Sequence, residues 1–491
     1  MTMNVADLLL TSAGNHPDKT ALIVPGGTPA TFAEVARSAG SVAHELRSAG
    51  VVPGDRVGIA MGNVPEFVYS YFGVLAAGAA VVPLNPMLTE PEVGRILEDS
   101  GAKGVLGVSP AGDAARAAAT AAGVRYVTAT EWTGGTGDLA PAETGGDDLA
   151  VLAYTSGTTG EPKGAMLTHG NLLANIEQQM SMDAHVEPSD VLLLSLPLFH
   201  IFGLNVTLGL LVRTGASGVL TERFDPVECL RLIPEHGITV MFGAPTMYTA
   251  LIGTPGAESY DLSSVRLAIS GAAPLPAEVL HRFKELFGVD VYEGYGLTET
   301  APTLTSNRMA AAPRPGSIGK PLPGVEIRLV DESGEDVELG DPGEIIARGP
   351  NVFAGYWHKE EETRRAFTPD GWFRTGDVAV QDEDGYLHIV DRKRDLVIVS
   401  GFNVFPSEVE QALVENPDVA EAAVVGVPHP YTGEAVKAFV VLAPGARATE
   451  TELIADVQSR LARFKCPRSI EIVDTLPHLL TGKVLRRALR T

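Results

Sequence analysis

Apolar and polar residues along the first 310 positions follow a pattern that predicts buried strands between amphipathic helices. Short apolar runs at 56–62 and 80–85 are bounded by glycine or polar residues, as is typical of buried strands. Residues 32–50 instead repeat apolar side chains at helical spacing and end on Gly50, a residue type that often terminates helices. Repeated strand and helix segments of this kind predict a layered α/β architecture.

The pattern changes in the last third of the chain. Residues 324–349 alternate apolar and polar positions with a period of two and contain acidic turns with glycine, which predicts small antiparallel sheets. A charged run at 391–395 precedes a new strand and a helix that begins near Pro406. We therefore predict a large N-terminal domain of layered β-sheets flanked by helices at 1–391, and a small α+β domain at 396–491.

Composition limits the classes of function. At 491 residues the chain exceeds the roughly 250 to 300 at which a single core stops growing, so two or more domains are expected. The formal net charge of −24 disfavours a general nucleic-acid binder or a binder of anionic membranes. Any anionic ligand must therefore be met by locally placed Lys, Arg or backbone N–H groups.

The two cysteines, Cys229 and Cys466, lie far apart and supply neither a disulfide framework nor a zinc-binding spacing. The N-terminal segment lacks a basic region followed by a long apolar run, and no stretch reaches about 18 uninterrupted apolar residues. We therefore expect a cytoplasmic protein without a transmembrane segment. The sequence leaves the oligomeric state open.

The stretch YTSGTTGEPKGAML at 154–167 gathers hydroxyls and glycines around Lys163, between two apolar segments. It is not a Walker A loop, in which Ser or Thr follows the lysine, because Gly164 follows Lys163 here. Glycines still allow the backbone to approach closely, so that N–H groups converge on phosphate oxygens while hydroxyls and the lysine add donors and charge. The alternative for this stretch alone is a flexible surface turn.

Five further motifs follow this loop in order. They are PLFHIFGL at 197–204, YGLTET at 295–300, GWFRTGD at 371–377, DRKRDLVIVSGFNVFPSEVE at 391–410 and LTGKVLRR at 480–487. Together with TSGTTGEPKGAMLTHGNL they resemble the adenylate-forming superfamily, which contains acyl-CoA synthetases, peptide-synthetase adenylation domains and firefly-type luciferases. The resemblance covers essentially the whole chain and is strongest to a fatty acyl-CoA synthetase. It implies a small β-barrel-like subdomain, a hinge at 392–395 and a mobile C-terminal domain.

Members of this superfamily activate a carboxylate by its attack on the α-phosphorus of ATP, with loss of pyrophosphate, before a thiol accepts the acyl group. Two anions must meet, so positioning and electrostatic stabilisation carry the step. The resemblance implies that Glu299 binds Mg²⁺ and that Thr298 contacts the α-phosphate. Lys483 would bridge the substrate carboxylate and the α-phosphate. His200 would gate the acyl pocket or contact the nucleotide side. The alternative is that the imidazole of His200 has a purely structural role.

The resemblance also implies the remaining nucleotide contacts. The residues expected to bind ATP are Thr155, Ser156, Gly157, Thr158, Thr159, Gly160, Lys163, Gly271, Ala272, Tyr295, Gly296, Asp377 and Arg392. Within this set, Tyr295 would place a ring near the adenine and Asp377 would accept both ribose hydroxyls. Taken alone, Tyr295 would be a packed aromatic residue. Asp377 would be a turn cap or a member of a surface ion pair.

For the second half-reaction, the small domain of these proteins rotates about a residue that corresponds to Arg394, where Asp or Lys is more usual. That rotation would bring Gly401 to the active site and leave a tunnel for pantetheine, because glycine lets the backbone pass close to a narrow chain. Arg463 and Lys465 would meet the phosphates of coenzyme A. The alternative for these two cations is a solvated helix end.

The acyl pocket implied by the resemblance is apolar. Its expected lining residues are Ile201, Phe202, Val206, Met241, Phe242, Ala273 and Gly294. No Arg or Lys among them could pair with a second carboxylate, which argues against a dicarboxylate such as malonate. An amino acid is disfavoured as well, since its ammonium group would need an acidic partner.

These expectations define an acid–thiol ligase that uses ATP, Mg²⁺ and coenzyme A and activates a medium-chain or long-chain fatty acid in fatty acid metabolism. One alternative is a ligase for an aryl or arylpropenoic acid. Another is a stand-alone adenylation protein that loads the phosphopantetheine arm of a carrier protein. A light-emitting or otherwise oxygenating relative needs no change of motif and stays open.

Overall fold

The computed structural model of the chain forms two compact units. The residues that it describes are 3–135, 137–156, 162–310, 312–392, 395–399, 402–429, 433–461, 463–478 and 484–489. The first unit contains Met1–Glu326 and Ala347–Phe373, and the second contains Ile327–Ile346 and Arg374–Thr491. The predicted hinge at 392–395 falls within the sequence range of the second unit, and residues 393 and 394 lie outside the described residues. The domain boundary therefore stays a prediction.

Strands occur throughout the described part of the chain. In chain order they are β1 Thr20–Ile23, β2 Ala30–Thr31, β3 Arg56–Ala60, β4 Ala80–Pro83, β5 Gly104–Gly107, β6 Arg125–Thr128, β7 Leu149–Ser156, β8 Pro162–Thr168, β9 Val191–Leu194, β10 Ser217–Leu220, β11 Val240–Gly243, β12 Leu267–Ser270, β13 Val291–Gly296, β14 Thr303–Ser306, β15 Lys320–Pro321, β16 Glu326–Val330, β17 Gly343–Arg348, β18 Phe373–Gln381, β19 Leu387–Arg392, β20 Val397–Val399, β21 Phe402–Val404, β22 Val419–His429, β23 Gly433–Leu442 and β24 Ser469–Ile472.

Helices alternate with most of these strands. The α-helices are α1 Ala6–Asn15, α2 Phe32–Ser48, α3 Pro65–Ala76, α4 Glu90–Ser100, α5 Asp113–Ala122, α6 Thr130–Thr133, α7 His169–Met180, α8 Leu210–Thr214, α9 Pro226–His236, α10 Pro245–Ile252, α11 Ala277–Phe287, α12 Glu360–Ala366, α13 Pro406–Val414 and α14 Glu450–Arg460. A π-helix spans Phe202–Gly209, and short 3₁₀ helices span Ala257–Ser259, Thr298–Thr300, Asn307–Met309 and Arg486–Leu489.

The first unit contains two sheets built mainly from parallel strands. Among the described residues, one sheet has the order β6-β5-β3-β4-β7-β8, and only its β7–β8 pair is antiparallel. The other, here called the large sheet, has the order β15-β14-β13-β12-β11-β9-β10-β1-β2 and is parallel from β13 to β1. Parallel strands need crossover connections, and helices that make them cover both faces of the sheet.

Local sequence signals explain where the helices begin and end. Helix α2 opens with a reciprocal capping box: the Glu34 N–H donates to Thr31 Oγ1 at 3.3 Å, and the Thr31 N–H donates to the Glu34 carboxylate at 2.8 Å. Helix α11 begins directly after Pro276 and is capped by Gly288, whose φ of 71° is left-handed. Helix α13 begins at Pro406, which confirms the helix start predicted from the sequence.

Consecutive residues within one strand of the large sheet pack into different cores. Phe242 and Ile269 belong to the core that also contains the π-helix and helices α1 to α3. Met241 and Ala268 belong to a second core, formed with helices α9, α10 and α11. This division follows from strand geometry, because neighbouring side chains of a strand point to opposite faces.

The second unit has a core of its own. Strands β20 to β24 form one sheet, and buried residues of helices α13 and α14, among them Val409, Leu413 and Leu453, pack against β22 and β23. Most of a four-stranded sheet, β16-β17-β18-β19 among the described residues, also belongs to this unit. The predicted α/β fold class is confirmed. No helix in the described ranges is both long enough and apolar enough to span a bilayer.

Gly296, the last residue of β13, generates a test of the packing in the large sheet. A Cβ added there would lie 1.8 Å from the Pro302 carbonyl oxygen, whereas a Cβ at Gly294 would lie 3.4 Å from its nearest neighbour, Thr305 O. Gly296→Ala should therefore lower the free energy of unfolding by about 1 to 3 kcal/mol or more, because the backbone has to shift.

The matched variant Gly294→Ala should change that free energy by less than about 1 kcal/mol, since its added methyl group makes an ordinary contact. Urea denaturation of both variants measures the difference. Equal stability of Gly296→Ala and the wild type would show that the turn after β13 tolerates a side chain.

Candidate functional site

The β7–β8 hairpin of the first unit carries the stretch rich in glycine and hydroxyls. Its register pairs Thr155 with Lys163, and the last described pair is Ser156 with Pro162. Both Thr155 and Lys163 are half-buried. Residues 157–161, which include the predicted phosphate ligands Gly157, Thr158, Thr159 and Gly160, lie outside the described residues, as does the side chain of Ser156. Their roles stay predictions.

The segment 353–357 connects the strand of Lys163 to the 3₁₀ helix of Glu299. The Phe353 N–H donates to the Glu299 carbonyl oxygen at 2.8 Å, and the Trp357 N–H donates to the Gly164 carbonyl oxygen at 2.8 Å. Residues distant in sequence are thus brought together by main-chain hydrogen bonds, which do not depend on the identity of the side chains.

Tyr356, within that segment, contacts two predicted site residues of opposite charge. Its hydroxyl donates a hydrogen bond to Glu299 Oε1 at 2.8 Å, and Lys163 Nζ lies 5.4 Å from the centroid of its ring. Burial, followed by the nearby Glu299 carboxylate, raises the pKa of the Tyr356 hydroxyl well above its ordinary value. The hydroxyl therefore keeps its proton and acts as the donor. Nothing in the sequence pattern singled out Tyr356.

Buried asparagine amides hold the turn that follows Glu299. The pairs are Asn351 Nδ2 with Thr300 O at 2.8 Å and Thr303 O at 3.0 Å, Asn205 Nδ2 with Ala301 O at 2.7 Å, and Asn175 Nδ2 with Thr303 O at 2.8 Å. All three asparagines are at most 1% exposed. Sequence reasoning missed them, because their partners are backbone groups of a turn whose path the sequence does not reveal.

The loop after β12 carries the predicted nucleotide residues Gly271 and Ala272. The Leu275 N–H donates to Glu293 Oε1 of β13 at 3.1 Å, which ties the far end of the loop to the next strand. Glu293 is 3% exposed, and burial raises the pKa of its carboxyl to about 8. The sequence analysis did not single out Glu293. An acidic residue among apolar neighbours in a predicted strand is the signal that could have identified it.

Two predicted nucleotide residues occupy the end of β13. Tyr295 is half-buried and pairs with Thr305 of β14, and Gly296 pairs with Thr303. Thr298 opens the 3₁₀ helix that carries Glu299 and is half-buried. The structure therefore places these residues on one short stretch that passes from the large sheet into the Glu299 turn.

His200 precedes the π-helix in the first unit. Its Nδ1 accepts a hydrogen bond from the Phe202 N–H at 3.2 Å. Burial lowers the pKa of the imidazole to about 4, so the ring is neutral near pH 7. Because Nδ1 is the acceptor, this hydrogen bond assigns the single ring proton to Nε2. His200 can thus donate to an anion from Nε2 without carrying a net charge.

Most of the predicted acyl-pocket residues lie near Phe202 and Phe242, and Met241 is separate from them. Phe202 and Phe242 meet edge to face with centroids 6.3 Å apart, and a Cβ on Gly271 would lie 3.1 Å from the Phe202 ring and 3.5 Å from Gly294 O. Ile201 and Val206 belong to the same core as these two rings, and Ala273 is half-buried in the loop after β12.

Met241 is a correction to the predicted pocket. Its side chain lies in the core formed with helices α9 to α11, on the opposite face of the large sheet from Phe242. The two residues are consecutive in β11, so their side chains cannot line one cavity on a single face.

The second unit holds the predicted nucleotide residues Asp377 and Arg392. Asp377 of β18 pairs in register with Arg392 of β19, and Asp377 is 4% exposed. The structure therefore brings these two positions together across the strands. The side chain of Arg392 lies outside the described residues.

The predicted coenzyme A residues also lie in the second unit. Lys465 Nζ donates to Glu408 Oε1 at 2.6 Å, so its charge already has an acidic partner, and Arg463 is exposed. Gly401, Lys483 and the predicted pivot Arg394 lie outside the described residues, and their roles stay predictions.

Comparison with known proteins identifies the family. A family model described as AMP-binding enzyme matches residues 9–357, and a second, described as AMP-binding enzyme C-terminal domain, matches residues 408–483. The chain belongs to the AMP-binding enzyme family. This is the adenylate-forming superfamily that the motifs predict, so that prediction is confirmed.

Individual proteins of this family match the chain over nearly its full length. A long-chain-fatty-acid–CoA ligase of Bacillus subtilis is 38% identical, over 98% of this chain and 93% of the relative. A feruloyl-CoA synthase of an Amycolatopsis species is 41% identical, over 95% and 94%. The crystal structure of ATP-bound MatB from Rhodopseudomonas palustris has a TM-score of 0.94 at 37% identity, over 100% of this chain and 98% of that one.

These relatives confirm the predicted class of an AMP-forming acid–thiol ligase. They agree with the predicted use of ATP and coenzyme A. Mg²⁺, the acid that is activated and the site residues stay predictions.

Glu293 generates a prediction about pH and stability. Its pKa of about 8 in the folded protein exceeds the ordinary value of 4.5, so the folded state binds the proton more tightly than the unfolded state does. The stability contributed by protonated Glu293 is fully present below about pH 4.5 and is lost as the pH rises to about 8. The variant Glu293→Gln keeps an acceptor for the Leu275 N–H but does not titrate.

Urea denaturation of both proteins between pH 5 and pH 9 should therefore show the wild type losing stability relative to Glu293→Gln, with the difference levelling above about pH 8. A difference that stays constant over this range would show that Glu293 is ionised in the folded protein throughout.

Proposed function

We propose that this chain is an ATP-dependent acyl-CoA synthetase that activates an apolar monocarboxylic acid, namely a medium-chain or long-chain fatty acid. The observation that carries the proposal is the approach of Lys163 and Glu299 to one tyrosine, Tyr356, whose backbone bridges β8 at Ala165. A cation and a carboxylate, together with the predicted phosphate-binding residues of the sequence 155–160, suit a polyphosphate with its counter-ion. The apolar contacts of Phe202 and Phe242 suit an acyl chain.

In the first step, a carboxylate oxygen of the acid attacks the α-phosphorus of ATP, and the bond from that phosphorus to the leaving pyrophosphate oxygen breaks. Lys163 would stabilise the negative charge of the β- and γ-phosphates, as the predicted loop residues 155–160 would through hydroxyls and N–H groups. The neutral imidazole of His200 would donate from Nε2 to an anionic oxygen. Lys483 would add positive charge at the reacting carboxylate.

Glu299 fits the predicted magnesium ion by its chemistry. Mg²⁺ prefers oxygen ligands and is usually held by one or two carboxylates together with substrate phosphates. Glu299 is 9% exposed, and its carboxylate accepts a hydrogen bond from the Tyr356 hydroxyl. When bound, the ion would neutralise phosphate charge.

In the second step, the thiolate of coenzyme A attacks the acyl carbonyl carbon and AMP leaves. Gly401 would line the path of the thiol, and Arg463 would approach the coenzyme A phosphates. Lys465 already donates to Glu408, whose carboxylate offsets part of the lysine charge. Arg463 is therefore the stronger of the two predicted contacts.

An arylpropenoic acid is the second candidate substrate. The feruloyl-CoA synthase relative is 41% identical over 95% of this chain, and the edge-to-face pair of Phe202 and Phe242 offers ring surfaces that suit an aromatic group. A carrier protein as acyl acceptor has no comparable support from the described residues.

The proposed first step predicts exchange of labelled pyrophosphate into ATP that requires an acid but no thiol, because the adenylate forms before the thiol is needed. Glu299→Gln should slow this exchange about 10²-fold, since it removes a negative oxygen ligand while keeping the size of the side chain. Release of ADP and phosphate, instead of AMP and pyrophosphate, would contradict the proposal.

The proposed pocket predicts a rise in kcat/KM of up to about fourfold for each added methylene of a straight-chain acid, until the pocket is full. A panel of straight-chain, aryl and arylpropenoic acids, scored by AMP release with coenzyme A, measures this profile. Phe242→Ala should shift the preferred acid, because it removes a ring from the face of the large sheet that carries Phe202.

Met241→Ala is the matched control for that change. It is adjacent in sequence and truncates a buried side chain on the other face, so it should lower stability by about 2 to 5 kcal/mol without shifting the preferred acid. A profile that stays flat beyond two carbons, or that changes equally in both variants, would place the acyl group elsewhere.

A further inference from the structure

Tyr356 is held in place by groups on several sides. Its backbone forms a β-bridge with Ala165, next to Gly164 and Lys163 in β8. Its N–H donates to Thr363 Oγ1 at 2.9 Å, and its ring meets Phe353 edge to face with centroids 4.9 Å apart. These contacts within the protein give the ring of Tyr356 a defined position without a ligand.

The phenol presents two different surfaces to two opposite charges. The negative face of its π-system attracts a cation, and Lys163 Nζ lies 5.4 Å from the ring centroid. Its hydroxyl is a donor at the ring edge and bonds Glu299 Oε1 at 2.8 Å. One rigid side chain thus contacts both a cation and a carboxylate.

The hydrogen bond restricts the carboxylate of Glu299. An exposed glutamate turns freely about its terminal bond, but a charge-assisted hydrogen bond from a fixed donor selects one orientation of the carboxylate plane. The backbone of Glu299 is fixed separately, because the Phe353 N–H donates to its carbonyl oxygen at 2.8 Å. Both ends of the residue are therefore set by the segment 353–357.

We propose that Tyr356 is a positioning residue for nucleotide binding: its hydroxyl orients the Glu299 carboxylate toward the metal of a metal–nucleotide complex, and its ring places the Lys163 ammonium beside the phosphates. This inference rests on the proposed function, which assigns Glu299 and Lys163 to the metal and the phosphates. Tyr356 itself touches neither in this scheme.

The variant Tyr356→Phe separates the two contacts, because it removes the hydroxyl and keeps the ring. Loss of a residue that orients a metal ligand typically weakens metal binding by about 10-fold to 100-fold. Titration of Mn²⁺ into the protein with a non-hydrolysable ATP analogue, followed by electron paramagnetic resonance, should show this loss. At saturating metal, the KM for ATP should return to within about twofold of the wild type, and the KM for the acid should be unchanged.

The variant Tyr356→Leu removes the ring as well. Because Lys163 then loses its cation–π contact, the KM for ATP should stay raised at saturating metal by about threefold to tenfold. The contrast between the two variants therefore reports separately on the hydroxyl and on the ring.

Tyr154 supplies a matched control within the same unit. Its hydroxyl also donates to a carboxylate, Asp99 Oδ2, at 2.5 Å, and burial raises its pKa well above the ordinary value. Tyr154→Phe removes the same chemical group and should leave Mn²⁺ binding within about twofold of the wild type. An equal loss of metal affinity in Tyr154→Phe and Tyr356→Phe would overturn the proposal, since both would then act through general stability.

A double-mutant cycle with Glu299→Ala completes the test. If Tyr356 acts through the Glu299 carboxylate, Tyr356→Phe should add no further loss of Mn²⁺ affinity in that background, and full additivity would overturn the inference. Unaltered Mn²⁺ binding in Tyr356→Phe would overturn it as well. A wild type that binds the metal–nucleotide complex but supports no acid-dependent pyrophosphate exchange would instead contradict the proposed function.

Discussion

The carbonyl groups of the turn after Glu299 are buried and need hydrogen-bond donors, and the position of the candidate site depends on how they obtain them. A buried carbonyl without a partner costs about 1 to 3 kcal/mol, so such a turn persists only where donors surround it. Here the donors are side-chain amides of Asn175, Asn205 and Asn351. They come from helix α7, the π-helix and the segment before 353, so three separate elements fix one short stretch of backbone.

Helix α7 illustrates how this constraint spreads. Asn171 and Asn175 are four residues apart and therefore project from the same face of the helix. Asn171 donates to the carbonyl oxygens of Pro350 and Val352 at 2.8 and 2.9 Å, and Asn175 donates to Thr303 O. One helical face thus ties the residues just before the segment 353–357 to the turn that follows Glu299. Side-chain amides thus align the chain around Tyr356 with the turn after Glu299, and Lys163 and Glu299 meet at Tyr356 as a result.

Short motifs and periodicity allowed much of this architecture to be predicted. The layered α/β class, helices α2, α11 and α13 and the family itself were predictable, because each depends on residues close together in the sequence. Tyr356 was not, since it lies 57 positions from Glu299 and meets it only through main-chain pairing of segment 353–357. The placement of Met241 was wrong for a different reason. An apolar residue in a predicted strand suits either face, and the motif did not specify which face the pocket occupies.

Ala272, in the loop after β12, combines a strained backbone conformation with a smaller loss of conformational entropy on folding than glycine would have. Ala272 adopts φ of 72°, a left-handed conformation that costs a residue with a Cβ about 1 to 2 kcal/mol relative to glycine. Alanine has fewer accessible conformations than glycine in the unfolded chain and in a loosened loop, so it narrows the set of shapes available there. The Leu275–Glu293 hydrogen bond holds the far end of the loop and helps to maintain the strained conformer. The chain thus gives up some stability for a loop whose shape is largely set before a ligand arrives, which lowers the ordering cost of binding.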